Sequence, residues 1–340
     1  MFKKPKIALT LGDVSGIGPE ITYKALLHHA MHKKATFVVI GTLAVLKGLK
    51  KYTKKDLPVH VLKKSSASYA FKEHCINIID LNNISEKDYV RGVPNKKTAQ
   101  AAKDFIDEAV RLARSSSVDA IVTGPIHKKS MSRIGFDFPG HTEYLAALCK
   151  IREFAMMMVS RHFKVILVTT HVPLSKIPAL IKTDEVVKKI KLSHLALETY
   201  FGVRKPKIAL CGLNPHAGEE GIFGLEEKKV LLPAVKKSRN ENINVTGPLP
   251  SDTLFLKAYR GDYDAVVCLY HDQAMIPIKM FGFSGVVNMT LGLPFIRTSP
   301  AHGTAHDIAP MLNADESSML AAIELAIRAC NNKLRGAREV

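Results

Sequence analysis

Apolar, strand-like runs alternate with helical stretches along this chain, and few folds accommodate that alternation besides an α/β protein with largely parallel sheets. The runs Ile7–Leu11, Thr36–Gly41, Asp119–Thr123, Lys164–Thr169, Lys207–Cys211, Asp264–Tyr270 and Gly285–Met289 read as strands. Helical periodicity marks Thr98–Arg114, Asp184–Tyr200, Leu225–Arg239 with an interruption near Pro233, and Ser317–Arg328. Gly18-Pro19-Glu20 opens a further helix, with Pro19 suited to its first position and Glu20 to its positive end. At 340 residues the chain is too long for one ordinary core. No Gly/Ser/Pro-rich linker divides it, so two domains are expected, with the chain crossing between them more than once.

Three of the runs are followed by a histidine: His171 after Val165–Thr170, His216 shortly after Ile208–Cys211, and His271 after Ala265–Tyr270. The carboxyl ends of parallel strands open onto the active-site crevice of α/β proteins. Any one such histidine is commonly a core or surface residue. Three in the same post-strand position match the ligand number of a catalytic metal with one open place.

Composition narrows the class. A hydrophobic content of 46% supplies sizeable cores and excludes a disordered chain. No stretch approaches the roughly 20 apolar residues of a membrane helix. The opening Met1-Phe2-Lys3-Lys4-Pro5-Lys6-Ile7 runs into a strand pattern without a signal-peptide core, so a soluble cytoplasmic protein is expected. Five cysteines without a C-x-x-C pair read as reduced; Cys211 and Cys268 fall within strands, where packing is their expected role. The formal charge of +18 includes the clusters Lys50-Lys51-Tyr52-Thr53-Lys54-Lys55 and Lys188-Lys189-Ile190-Lys191. The remaining lysines are scattered and no nucleic-acid motif or interleaved aromatic accompanies them, so solvated surface is the expected role and no nucleic-acid partner is expected.

Several loops carry potential chemistry. Gly12-Asp13-Val14-Ser15-Gly16-Ile17-Gly18-Pro19-Glu20 offers close backbone approach and helix-start N–H groups to an anion, but is neither a dinucleotide fingerprint nor a P-loop. Its plain alternative is a tight strand–helix turn. Gly140-His141-Thr142-Glu143 enters a helix, either presenting neutral donors and acceptors or supplying an N-cap threonine beside a surface histidine. Lys279, Asn288 and Arg297 include both usual cations for phosphate or carboxylate, although singly each charge is an ordinary surface one.

Together, Gly124-Pro125-Ile126-His127-Lys128, Phe138-Pro139-Gly140-His141-Thr142-Glu143, Thr169-Thr170-His171-Val172-Pro173-Leu174, Cys211-Gly212-Leu213-Asn214-Pro215-His216-Ala217-Gly218-Glu219, Gly247-Pro248-Leu249-Pro250-Ser251-Asp252-Thr253, Tyr270-His271-Asp272-Gln273 and Leu291-Gly292-Leu293-Pro294-Phe295-Ile296-Arg297-Thr298-Ser299 resemble one family. It is 4-hydroxythreonine-4-phosphate dehydrogenase, of pyridoxal 5'-phosphate biosynthesis, and the resemblance is collinear over nearly the full length. It implies two α/β/α domains with a cleft between them, as in isocitrate and isopropylmalate dehydrogenases. The expected division is 1–136 with 281–340 on the cofactor side, and 137–280 for metal, substrate and dimer interface. It also implies that His171, His216 and His271 bind a divalent metal (zinc, cobalt or magnesium) completed across a homodimer interface, and that His141, Thr142, Lys279, Asn288 and Arg297 contact substrate. His302-Gly303-Thr304-Ala305-His306-Asp307-Ile308-Ala309 is similar to the cofactor loop of that wider group, which makes His302, Gly303, Thr304 and Asp307 the expected contacts of NAD or NADP. Asp252 or Asp272 could orient a ligand histidine, and Asp252, Lys279 and His141 all stay open as proton acceptor.

The implied reaction is oxidation of C3 of 4-phosphooxy-threonine by nicotinamide, then decarboxylation to 3-amino-2-oxopropyl phosphate. Alternatives are a paralogue acting on threonate or erythronate 4-phosphate, a metal-dependent hydrolase or phosphoryl-transfer enzyme, and a basic nucleic-acid-binding protein. The chain departs from the family pattern at Leu11-Gly12-Asp13-Val14-Ser15, Pro300-Ala301 and Pro310-Met311-Leu312. The last two flank the cofactor loop and leave the choice between NAD and NADP open.

Overall fold

The structure, a computed structural model, describes residues 4–50, 57–62, 69–281 and 285–339. The chain start at Met1–Lys3 and, apart from Lys50, the basic cluster ending at Lys55 lie outside them. Among the described residues twelve strands form. In chain order they are β1 (Lys6–Thr10), β2 (Thr36–Gly41), β3 (Val59–Leu62), β4 (Ile76–Asp80), β5 (Ala120–Thr123) and β6 (Ala155–Val159). There follow β7 (Lys164–Leu167), β8 (Ile208–Cys211), β9 (Val245–Leu249), β10 (Ala265–Cys268), β11 (Val287–Leu291) and β12 (Ile296–Pro300).

The chain divides into two compact units, Met1–Lys150 with Leu293–Asn331, and Ile151–Gly292 with Asn332–Val340. Their edges differ from the 136/137 and 280/281 boundaries expected from sequence. In the first unit the strands run in the order β3-β4-β2-β1-β5-β12, all parallel. Successive strands move outward from β1 through β2, then return to its other side with β5. The order therefore reverses between β1 and β5, the place where open α/β sheets bind ligands. Two-sided burial explains the uninterrupted apolar sequences here: Ile7, Ala8 and Leu9 of β1 are fully buried, as are Ala120, Ile121 and Val122 of β5.

In the second unit the order is β11-β6-β7-β10-β8-β9. Here β6 is antiparallel to both neighbours, while β7, β10, β8 and β9 are parallel. Its core joins Val165 and Leu167 of β7, Ala209 and Cys211 of β8, and Val266 and Cys268 of β10 to Leu254, Ala274 and Ile278 from helices. Both cysteines are fully buried, as packing residues should be. The Lys188–Lys191 cluster lies on the helix Thr183–Phe201, and its charges are used locally. Lys188 pairs with Glu185 and Glu153, Lys191 pairs with Glu241, and Lys189 donates to the Phe154 carbonyl. Among the described residues no helix is long and apolar enough to cross a membrane.

Candidate active site

The histidine-bearing loops of the second unit leave the carboxyl ends of three neighbouring parallel strands, β7, β10 and β8, with β10 in the middle. The ladder between β7 and β10 extends past the strand ends. Val168 N–H donates to the Cys268 carbonyl at 2.8 Å, and Thr169 gives both its N–H (3.2 Å) and its hydroxyl (2.6 Å) to the Leu269 carbonyl. This stitching brings the His171 and His271 rings to a centroid separation of 5.4 Å. His271 opens the helix His271–Met280, and its Nδ1 lies 2.7 Å from Asp272 Oδ1. The carboxylate fixes Nδ1–H as donor and leaves the Nε2 lone pair for a ligand, the usual orientation of a metal-binding imidazole. Gln273, buried, receives the Leu269 N–H at 2.7 Å and donates to the Gly212 carbonyl at 2.7 Å, tying the β10 loop to the loop after β8.

His216 is exposed and sits in that second loop, in a turn of unusual hand. His216, Ala217, Gly218, Glu219 and Glu220 have φ of 52°, 54°, 83°, 38° and 54°. For L-residues other than glycine the left-handed region costs about 1–2 kcal/mol each. Such strain persists only where the surroundings enforce it, and it concentrates at functional sites. Among the described residues no three His, Cys, Asp or Glu side chains gather tightly enough to hold an ion. One chain thus brings two of the three expected imidazoles together and holds the third apart. Their chemistry fits a divalent metal: neutral imidazoles suit borderline ions.

In the first unit, Arg297 on β12 is 1% exposed. Taken singly it reads as a surface charge; in the fold it is one of the most buried side chains. Its Nη2 and Nε donate to Thr123 Oγ1, at the end of neighbouring β5, at 2.6 and 3.2 Å. Burial pushes the guanidinium down to about 9, opposed by the charge of Glu143. His141 starts the helix His141–Leu148, with Gly140 as N-cap. The threonine cap is not formed, because Thr142 lies inside the first turn and is buried. His141 Nε2 is buried and, among the described residues, has no hydrogen-bond partner. Burial, helped by the charges of Arg297 and Lys128, holds its pKa well below the usual imidazole range. The ring is therefore neutral at physiological pH.

Four N–H groups of the β1 loop are taken up within the protein. Asp13 N–H is taken by the Pro125 carbonyl, Ser15 N–H by Asp13 Oδ1, Gly16 N–H by the Asp13 carbonyl and Ile17 N–H by the Thr304 carbonyl. The protein's own carboxylate occupies the place an anion would take. Gly12 is required here: a Cβ on it would lie 2.3 Å from the Pro125 carbonyl oxygen, and its φ is +69°. The loop carrying His302, Gly303, Thr304 and Asp307 packs against this turn. A Cβ at Gly16 would meet the Thr304 carbonyl oxygen at 2.6 Å. His306 Nε2 lies 3.3 Å from Ser15 Oγ and 3.6 Å from Asp13 Oδ2, and its ring meets that of His127 edge-on at 4.9 Å. Asp13, His127 and His306 thus join Thr304 at the sheet's reversal point, although only the surrounding motifs marked them in the sequence.

The other expected contacts are dispersed over the second unit. Asn288 lies on β11 with a buried Oδ1 that has no partner among the described residues. Lys279 is in the last turn of the helix His271–Met280, and Asp252 is exposed in the first turn of the helix Ser251–Tyr259.

The chain matches the family model described as "Pyridoxal phosphate biosynthetic protein PdxA" over residues 33–326. It is 41% identical over 322 residues to a 4-hydroxythreonine-4-phosphate dehydrogenase of Sulfurihydrogenibium sp., covering 95% of this chain and 97% of that one. It is 43% identical over 334 residues to an Oceanobacillus iheyensis protein named provisionally as a D-threonate 4-phosphate dehydrogenase, covering 98% and 100%. Among solved structures, the 4-hydroxythreonine-4-phosphate dehydrogenase of Klebsiella pneumoniae superposes with a TM-score of 0.86 at 37% identity, covering 96% and 98%.

Proposed function

Because the chain belongs to the pyridoxal phosphate biosynthetic protein PdxA family, we propose that it oxidises C3 of 4-phosphooxy-L-threonine with NAD or NADP and releases CO2 to give 3-amino-2-oxopropyl phosphate. The protein is an oxidoreductase. The observation that carries the substrate class is the buried guanidinium of Arg297 close to the neutral ring of His141. Phosphate or carboxylate fits the planar fork of such a buried guanidinium. Thr123 aims that fork. Beside it in the first unit, His141 and Thr142 offer uncharged polar groups to the substrate; in the second unit Lys279 would offer a point charge and Asn288 an amide.

His171, His216 and His271 would hold one divalent ion (zinc, cobalt or magnesium), completed in a cytoplasmic homodimer. When bound, that ion supplies Lewis acidity for alcohol oxidation and for the charge that develops as CO2 leaves. Asp272 holds the His271 tautomer through Nδ1. Exposed Leu256, Tyr259, Ile276, Met280 and Phe281 on the second unit, with Tyr259 and Phe281 stacked at 5.0 Å, support self-association. The loop of His302, Gly303, Thr304 and Asp307 would receive the dinucleotide.

The second reading, oxidation of D-threonate 4-phosphate, is favoured by the Oceanobacillus relative at 43% identity. Nicotinamide absorbance followed with each substrate, with and without a chelator, separates the two. Chelator-sensitive reduction with the amino substrate is the expected result, and preference for the hydroxy acid selects the second reading. Phosphate release without nicotinamide reduction would replace both by a hydrolase.

A further inference from the structure

We propose that Glu227 is a positioning residue for the metal centre, acting through the turn that presents His216. The proposal rests on the reading of His216 as a metal ligand. The turn is left-handed through five consecutive residues, and it is flanked by Ala217 N–H donating to the Asn214 carbonyl at 3.1 Å, Ile222 N–H to Glu219 at 3.1 Å and Phe223 N–H to Gly218 at 3.2 Å.

Glu227 anchors the chain that leads into His216. Its side chain is 3% exposed. One oxygen, Oε1, accepts the backbone N–H groups of both Leu213 and Asn214 at 2.8 Å, and Oε2 accepts Asn214 Nδ2 at 2.9 Å. These are the residues that lead through Pro215 into His216. The same carboxylate lies beneath the middle of the turn, where a Cβ on Gly218 would come within 2.7 Å of Oε2. Across the turn, a Cβ on Gly212 would come within 2.9 Å of Ala217 Cα. Glu227 itself begins a π-helical turn, Glu227–Leu231, just before the proline-started helix Leu232–Asn240. Wider turns of this kind recur at functional sites. Among the described residues no cation pairs with Glu227, so its charge is satisfied by donors from the turn. Neutral glutamine would offer one of those donors an N–H in place of an acceptor.

The test uses the full-length protein stripped of metal and titrated with Co2+ alone against a chromophoric chelator. Folding is checked by circular dichroism, and kcat and KM are measured at limiting and saturating Co2+. His216→Ala is the reference for losing the ligand. Glu227→Gln is expected to weaken Co2+ binding by about 10- to 100-fold, the usual effect of removing a partner that orients a ligand. Its kcat should recover at saturating Co2+ with KM unchanged, which a general loss of structure would not do. Glu226→Gln, whose carboxylate accepts from the Asn214 side-chain amide and not from the Leu213 or Asn214 backbone, should stay within about twofold of wild type. If Glu227→Gln is folded and binds Co2+ as wild type does while His216→Ala does not, the positioning role is wrong and the metal reading stands. If His216→Ala also binds normally, the metal reading falls and takes the positioning role with it. Should Glu227→Gln fail to fold, Gly218→Ala, which presses a methyl group on the same carboxylate, is read by the same titration against the same outcomes.

Discussion

Replacing Thr123 by valine tests whether the buried guanidinium of Arg297 is held in place by one hydroxyl. Valine keeps the shape of threonine on β5, so no cavity opens and the change is confined to Oγ1. That oxygen accepts from Nη2 at 2.6 Å and from Nε at 3.2 Å. A hydrogen bond to a charged group contributes about 1.5–3 kcal/mol, and stranding one partner in the interior adds its desolvation. Two donors share the oxygen, one bond is long, and Arg297 keeps a further interaction. The expected loss is therefore about 2–3 kcal/mol, below the sum of two full bonds. The chain has no tryptophan, so urea unfolding is followed by circular dichroism at pH 7.

A double-mutant cycle with Arg297→Met sharpens the result. Removing the guanidinium relieves a buried charge, so Thr123→Val should cost little in that background and the two changes should be strongly non-additive. Inorganic phosphate should raise the unfolding midpoint of wild type and leave Arg297→Met unmoved. A Thr123→Val protein within about 0.5 kcal/mol of wild type, or a cycle that adds within error, would refute the account of how Thr123 on β5 holds Arg297 on β12.

Gly12→Ala places a methyl 2.3 Å from the Pro125 carbonyl oxygen at a φ of +69°, against backbone that cannot swing away. It should lower soluble yield and cost more than about 2 kcal/mol; a wild-type melting temperature would show that the two loops are not pressed together. His141 gives a pH signature. Burial holds its folded pKa well below 6.5 while the unfolded chain titrates near 6.5, so the unfolded state takes the proton first. Its stability contribution is complete above about pH 6.5 and falls by about 1.4 kcal/mol for each unit below, until the folded pKa is reached. His141→Gln should flatten that part of the urea-midpoint profile, and parallel profiles for the two proteins would contradict a buried neutral imidazole.

Seven strands were legible in sequence: β1, β2, β5, β7, β8 and β10, buried on both faces where apolar residues run unbroken, and β11, read as Gly285–Met289 and found at Val287–Leu291. Five others were not, and each has a physical reason. β12 contains Arg297, Thr298 and Ser299, whose polarity is answered inside the fold: Arg297 by Thr123, and Thr298 by the Ala322 carbonyl at 2.8 Å. β9 contains Gly247-Pro248, which reads as a turn, and an edge strand tolerates proline because one side of its ladder is open. β6 is methionine-rich and lacks the β-branched pattern until Val159. β3 at the opposite edge alternates exposed valines with less exposed residues, and neighbouring β4 buries Asn77, whose amide donates to the Phe37 carbonyl at 3.0 Å.

The site divides along the same line. Histidines after strands stood out in the sequence because a parallel sheet delivers its carboxyl ends to one edge; β7 and β10 bring His171 and His271 together, while His216 lies farther along the loop after β8. Their supports were hidden, because what matters about Glu227 and Gln273 is where their acceptors and donors end up. Gln273 follows His271 by two residues, yet its amide serves Gly212, 61 positions away in sequence. Glu227 reaches back 14 positions to Leu213 from the first residue of a π-helical turn. A regular α-helix through Glu227 would rotate every later residue by close to a third of a turn for the one residue saved, and the face that now packs from Leu231 to Val235 would no longer meet the core.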